Sequence, residues 1–153
     1  MISGSEARRI ATAALASGAA DDPLARDRGR MLDAIDIRAP NGTLAGWFVP
    51  MELDGALLGF VQLGADGRFR RYAALHGRSE STATCPRVSD WVDRDVITDR
   101  ARQLSSAGSE LGTPVLSYDT HPDRLAWTVR EVSRQGASST IFVAGTEAWR
   151  SSG

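Results

Sequence analysis

Two glycine-bearing breaks, Asp54-Gly55 and Ala65-Asp66-Gly67, divide residues 43–76 into three runs: Thr43 to Leu53, Ala56 to Gly64 and Arg68 to His76. Gly after Asp supplies the positive φ that a tight hairpin needs, so the three runs read as consecutive antiparallel strands. Side chains alternate across a strand. Ala45, Trp47, Val49, Met51 and Leu53 then share one face of the first run, and Leu57, Val61 and Leu63 share one face of the second. In the third, Phe69, Ala73 and Leu75 alternate with Arg70, Tyr72 and His76. The result is a meander with one apolar face, and Pro50, which has no N–H to donate, marks an edge or a bulge.

An apolar face needs a cover, and the segment before the meander supplies helices. Ser3 and Glu6 have capping-box spacing, and Ala7, Ile10, Ala11, Ala14 and Leu15 follow as a stripe that Gly18 closes. Arg8 and Arg9 ahead of Ile10 to Ala20 have the outline of an export signal. Glu6 in its basic region, and Ser17 and Gly18 in its apolar stretch, favour the helix. Asp22-Pro23 starts a second helix, with Leu24, Met31, Leu32 and Ile35 at helical spacing. Ile35 and Ile37 then alternate, and Pro40-Asn41-Gly42 turns.

The second half repeats the order. After a polar loop over 77–92, Asp93 caps a helix from Arg94 to Ala107, with Val92 and Ile97 at staple spacing and Gly108 as the stop. Strands are expected over Pro114 to Asp119, Arg124 to Val132 and Thr140 to Ala144, joined by His121-Pro122-Asp123 and Arg134-Gln135-Gly136. The chain therefore reads as one α+β domain over 1–153. It has two helix-plus-three-strand antiparallel halves, 3–76 and 93–145, with helices on one sheet face. Leu57-Leu58-Gly59-Phe60-Val61 set against Leu125-Ala126-Trp127-Thr128-Val129 suggests an internal repeat. No stretch approaches the ~20 apolar residues of a membrane span. The single cysteine, Cys85, cannot form an internal disulfide, so the cytoplasm is the expected compartment.

A helix followed by Pro114-Val115-Leu116-Ser117-Tyr118, Leu125-Ala126-Trp127-Thr128-Val129 and Thr140-Ile141-Phe142-Val143 resembles a PepSY-type unit, and residues 3–76 resemble one more loosely. The resemblance implies a helix on a small antiparallel sheet, acting as an inhibitory, chaperone-like or regulatory module.

Composition excludes several chemistries. All 18 basic residues are Arg. With no Lys there is no Schiff base to a carbonyl or to pyridoxal phosphate, and a Walker-type or kinase site would lack its amine. Two His and one Cys are too few for a closed zinc site, so neither metal nor cofactor is expected. A formal net charge of -1 gives no general pull toward nucleic acid, which is an unlikely partner.

The candidate chemistry is sparse. Cys85 lies nine residues after His76, and a thiolate–imidazole pair would need them in contact, with Arg78 and Arg87 favouring the anion. His121 lies between Asp119 and Asp123, a set suited to binding a divalent cation, to acid–base work or simply to shaping a turn. Arg68, Arg70, Tyr72 and His76 share strand parity, with Arg71 and Arg78 close by, a face that can hold phosphates and stack bases or simply be a solvated face with salt bridges to nearby acids such as Glu52, Asp54 and Asp66. Trp47 and Trp127 occupy the central strands of the two halves, as core or as pocket walls, and Trp149 near the C-terminus marks an interface.

Three functions follow. The first is a non-catalytic module that holds a protein, peptide or small ligand on its sheet face or edge through Trp47, Arg68, Arg70, Tyr72 and Trp127. The second is a cofactor-free hydrolase, cyclase or isomerase using His76, His121, Asp119 or Cys85. The third is an anion or nucleic-acid binder built on the Arg-rich strand. A filled space between helices and sheet speaks against the enzyme.

Overall fold

A computed structural model describes residues 1–77 and 81–151. The fold is α+β and divides into two compact units, residues 1–37 with 43–88, and residues 38–42 with 89–153.

In the first unit, α1 (Gly4–Ala16) starts at Ser3, whose hydroxyl accepts the Glu6 N–H at 3.2 Å. Gly18, at φ 85°, turns the chain away. α2 (Pro23–Arg28) starts at Asp22 and is shorter than the spacing of Leu24, Met31, Leu32 and Ile35 suggests. Gly29 ends it in extended conformation, where a Cβ would lie 2.6 Å from the Ala25 carbonyl oxygen. Residues beyond it form β1 (Arg30–Met31) and β2 (Ile35–Arg38). Three long strands follow, β3 (Leu44–Leu53), β4 (Ala56–Gly64) and β5 (Phe69–Ala74). Asp54 and Gly55 both take positive φ, 50° and 81°, as the two-residue hairpin requires.

The sheet runs β1-β3-β4-β5, with β2 also on β3. Ala7 and Ala11 of α1 let the helix lie close over Val49, Val61 and Leu63, while Leu15, Leu24 and Ala25 close over Met51 and Leu58. A bulge interrupts β5. Gln62 pairs with Arg71 but Leu63 pairs with Phe69, so Arg70 is the extra residue. One extra residue exchanges the faces beyond it. Tyr72 consequently packs inward beside Val61, whereas Arg70 is exposed, and strict alternation through Arg68, Arg70 and Tyr72 does not hold.

The loop expected over 77–92 contains a short α3 (Ser89–Val92), with which the second unit resumes, and its residue Arg78 lies outside the described residues. Asp93 caps α4 (Arg94–Leu104) by accepting the Asp95 N–H at 3.0 Å. The strands are β6 (Glu110–Leu111), β7 (Val115–Tyr118), β8 (Leu125–Val132), β9 (Ser138–Ala144) and β10 (Glu147–Arg150). Their order is β10-β9-β8-β6, with β7 also on β8. Each unit thus has its own five-stranded sheet on one plan, instead of three strands of a shared sheet. Two-residue strands such as β1 and β6 are too short to show alternation, which is why pattern alone passes over them.

Register sorts the side chains of this sheet. Leu116, Trp127 and Val143 pair across three strands and face the helices, all of them buried. Ile97 and Ala101 of α4 are likewise fully buried, and α4 lies across β8, β9 and β10. Trp127, only 1% exposed, donates its indole N–H to the Trp91 carbonyl at 2.9 Å, and the Arg94 guanidinium lies 5.4 Å over its ring. Among the described residues no helix is long and apolar enough to cross a membrane.

One buried ion pair closes the far end of this layer. Glu131 is 3% exposed and accepts from Arg150, from the Ser106 N–H at 2.7 Å and from the Ser139 hydroxyl at 3.2 Å. Arg150 also donates to the Leu104 carbonyl at 2.9 Å, so a cation meets the negative end of α4. Arg150 first, then the Ser106 N–H, outweigh burial and hold the Glu131 carboxyl at about 2. Its folded value lies below its ordinary one, so it stabilises the fold fully above pH 4.5, and that contribution disappears as pH falls toward 2. Glu131→Gln is therefore expected to lower the melting temperature at pH 7 and to flatten its decline between pH 4.5 and 2. Thermal melts across that range check this. An acid limb of unchanged steepness would show that Glu131 does not carry it.

Candidate functional site

The other face of the second sheet is only partly covered, with Val115 exposed and Phe142 buried. Val115 pairs with Thr128, Thr128 with Phe142, and Phe142 with Trp149, one row across four strands. Alternation along each strand places this row opposite the helix-facing row of Leu116, Trp127 and Val143. Phe142 stacks on Trp149 at 5.6 Å with 14° between planes, and the Trp149 indole N–H donates to Asp119 Oδ2 at 3.1 Å. Trp149, marked from sequence as an interface residue, is thereby held in place at the edge strand β10.

A groove of about 450 Å³ lies over this face. Val115, Ser117, Thr128, Thr140 and Phe142 line it from the sheet, together with Tyr118. Arg38, Ala39, Pro40 and Gly42 line it from the turn segment, and all of these residues belong to the second unit. Val115 is 41% exposed, high for a large apolar side chain. Ser117 is 4% exposed, and its hydroxyl makes no hydrogen bond. A buried unpaired hydroxyl is unusual enough to call for an explanation.

The first unit holds a polar node of a different kind. Asp22, 3% exposed, caps α2 by accepting the Ala25 N–H at 3.1 Å through Oδ1. Its Oδ2 accepts from the Tyr72 hydroxyl and lies 2.8 Å from His76 Nε2. His76 Nδ1 lies 3.0 Å from the Gly77 carbonyl oxygen, so both ring nitrogens are engaged. Burial alone would raise the Asp22 carboxyl, but hydrogen bonds from Tyr72, His76 and Ala25 hold it below its ordinary value. Burial and the Asp22 carboxylate push the Tyr72 phenol upward. The node ties α2 to the end of β5 and the residues after it.

The remaining sequence candidates are dispersed. Cys85 packs against the apolar cluster around Leu15, Leu24 and Met51, and burial raises its thiol away from the reactive thiolate. His121 is largely exposed and accepts the Asp123 N–H at 3.2 Å, while Asp119 faces Trp149 and Arg124. Arg68 pairs with Asp66 at 3.6 Å, and Arg71 lies over Phe60 at 5.1 Å while donating to Gln62 at 2.7 Å. Trp47 packs in the first core cluster and Trp127 in the second unit's core, neither in the groove. The structure thus brings Tyr72 and His76 together through Asp22, which the sequence presents as a cap alone. The groove residues Arg38, Val115, Ser117 and Phe142 carry no sequence signal beyond strand alternation. Among the described residues no cluster of three His, Cys, Asp or Glu side chains is arranged to hold a metal ion.

Compared with protein-family models, curated proteins and solved structures, the chain matches none.

The node yields a direct expectation. Tyr72→Phe removes one donor from a buried carboxylate that keeps two others, and is expected to cost roughly 1–2 kcal/mol. Asp22→Ala removes the cap and leaves two donors without their acceptor, and is expected to cost more. Urea unfolding of both variants checks this order. A Tyr72→Phe midpoint equal to the parent's would remove the hydroxyl from the stabilising node.

Proposed function

We propose that this chain is a non-catalytic binding module that takes its ligand on the outer sheet face of the second unit. The observation that carries this reading is the groove itself. Val115 stands exposed at the groove beside the half-buried Thr128 and the buried Phe142, while the layers between helices and sheet in each unit are filled by buried side chains. An enzyme built on a pocket between helix and sheet would need that space.

Other features agree. His76 is engaged on both ring nitrogens, and Cys85 has a raised thiol. Arg71 is held by Phe60 and Gln62, and Arg68 sits beside Asp66, so the Arg-rich strand is poorly arranged to grip an anion or a nucleic acid. The PepSY-type likeness, as a likeness of element order, supports the same non-catalytic class. We read the shared strand order, with Trp47 on β3 and Trp127 on β8, as an internal duplication in which one copy has kept an open face. The single free thiol of Cys85 suits a cytoplasmic setting.

The test is a fragment screen by two-dimensional amide NMR, using small uncharged aromatic and aliphatic compounds. Binding is expected to shift the amides of Val115, Ser117, Thr128 and Phe142. Thr140→Arg, which lays a long side chain across the floor, is expected to abolish those shifts without lowering the melting temperature. Shifts confined to the filled layer around Val49 and Tyr72, or no binding at all, would remove this reading.

A further inference from the structure

Resting on that groove as the binding site, we propose that its ligand is a neutral, mostly apolar molecule with one carbonyl oxygen, which the Ser117 hydroxyl meets.

The polar side chains around the groove differ in what they leave unmet. The Thr128 hydroxyl donates to the Val115 carbonyl at 2.9 Å. Arg38 is engaged within the protein, its contacts including the Gly42 carbonyl at 3.4 Å, and a neutral ligand asks nothing of it. Tyr118 and Thr140 are half-buried, so solvent reaches them. Ser117 alone, among the described residues lining the groove, combines burial, at 4% exposed, with a hydroxyl that makes no hydrogen bond. Strand alternation puts its side chain on the face of Val115 and opposite to Leu116, on the groove side of β7 and away from the helices. The hydroxyl turns about a single bond, so it can follow an acceptor on that side.

What a buried hydroxyl lacks first is an acceptor. It has one O–H donor and two lone pairs, and an orphaned donor is rarer in folded proteins than an under-used acceptor. Left unmet, it lowers the stability of the empty protein without return. A ligand carbonyl oxygen supplies the acceptor and brings no donor or charge that would need a partner of its own. An alcohol adds a second O–H to be satisfied, an ammonium adds a charge to be desolvated, and a hydrocarbon leaves Ser117 as it was. The apolar remainder of the ligand lies against Val115 and Phe142, and a groove of about 450 Å³ is of the size that takes a small organic molecule.

The experiment titrates the intact chain with benzylacetone, with the secondary alcohol made by reducing it, and with butylbenzene, following the amides of Val115, Ser117, Thr128 and Phe142. The ketone is expected to bind about fivefold more tightly than the hydrocarbon, with the alcohol between them. Ser117→Ala should bring the ketone down to the affinity of butylbenzene, leave butylbenzene unchanged and keep the melting temperature equal or higher. A serine with a merely structural role would instead weaken all three compounds alike and lower the melting temperature. Infrared spectra give a direct readout: the carbonyl stretch of the bound ketone should lie at lower wavenumber in the parent protein than in Ser117→Ala, because only the parent donates a hydrogen bond to it. A ketone no tighter than butylbenzene, an alcohol as tight as the ketone, or a ketone affinity unchanged in Ser117→Ala would overturn the carbonyl and leave the groove standing. Absence of shifts at those four amides with all three compounds would overturn the groove itself.

Discussion

The strict two-residue period along β8 and β9 is the constraint on which the second unit depends. Trp127, Val129, Ile141 and Val143 go to the helix side because they share a parity, and Thr128 and Phe142 are left on the other side. Shifting β9 by one residue against β8 would put Phe142 beneath α4 and Ile141 in the groove. Trp127 pins the register from the core, since its N–H needs the Trp91 carbonyl and its ring takes the Arg94 guanidinium. Glu131 pins it from the end, where Arg150, Ser139 and the Ser106 N–H converge on one carboxylate. The row of Val115, Thr128 and Phe142 is thus the far side of a register fixed by the core.

What the residues announce in advance is local. Ser3, Asp22 and Asp93 cap helices because a side-chain oxygen can reach an N–H only two or three residues on. Asp54-Gly55, Gly108 and Gly136 turn the chain because positive φ is cheap there. Those signals place both long helices and the long strands to within a few residues. They overreach at Leu24 to Ile35, where apolar residues at helical spacing belong to α2, to β1 and to β2 in turn. Gly29 ends the helix there in an extended conformation whose crowding against the Ala25 carbonyl oxygen suits a residue without a Cβ.

The site is less legible than the fold, for a geometric reason. Asp22 meets Tyr72 and His76 across 50 and 54 residues of sequence, and nothing within a short window links them. The bulge at Arg70 adds a second obstacle, since one extra residue sends Tyr72 to the core and Arg71 outward. Pairing His76 with Cys85 is the natural guess from proximity, whereas the fold gives His76 to Asp22 and Cys85 to an apolar cluster. The groove is harder still, because Val115, Thr128 and Phe142 are ordinary strand residues until register aligns them.

The absence of Lys takes on a specific meaning in three dimensions. Several guanidiniums do internal structural work that an ammonium would do poorly. Arg150 reaches Glu131, Ser139 and the Leu104 carbonyl at once, which takes a fork of several donors. Arg71 and Arg94 lie over the faces of Phe60 and Trp127, where a flat, weakly hydrated cation packs well. Arg100 meets the buried Asp90 at 2.9 Å. An Arg-rich composition is therefore no measure of an anion-binding surface here, because much of that charge is committed to aromatic faces, helix ends and buried acids.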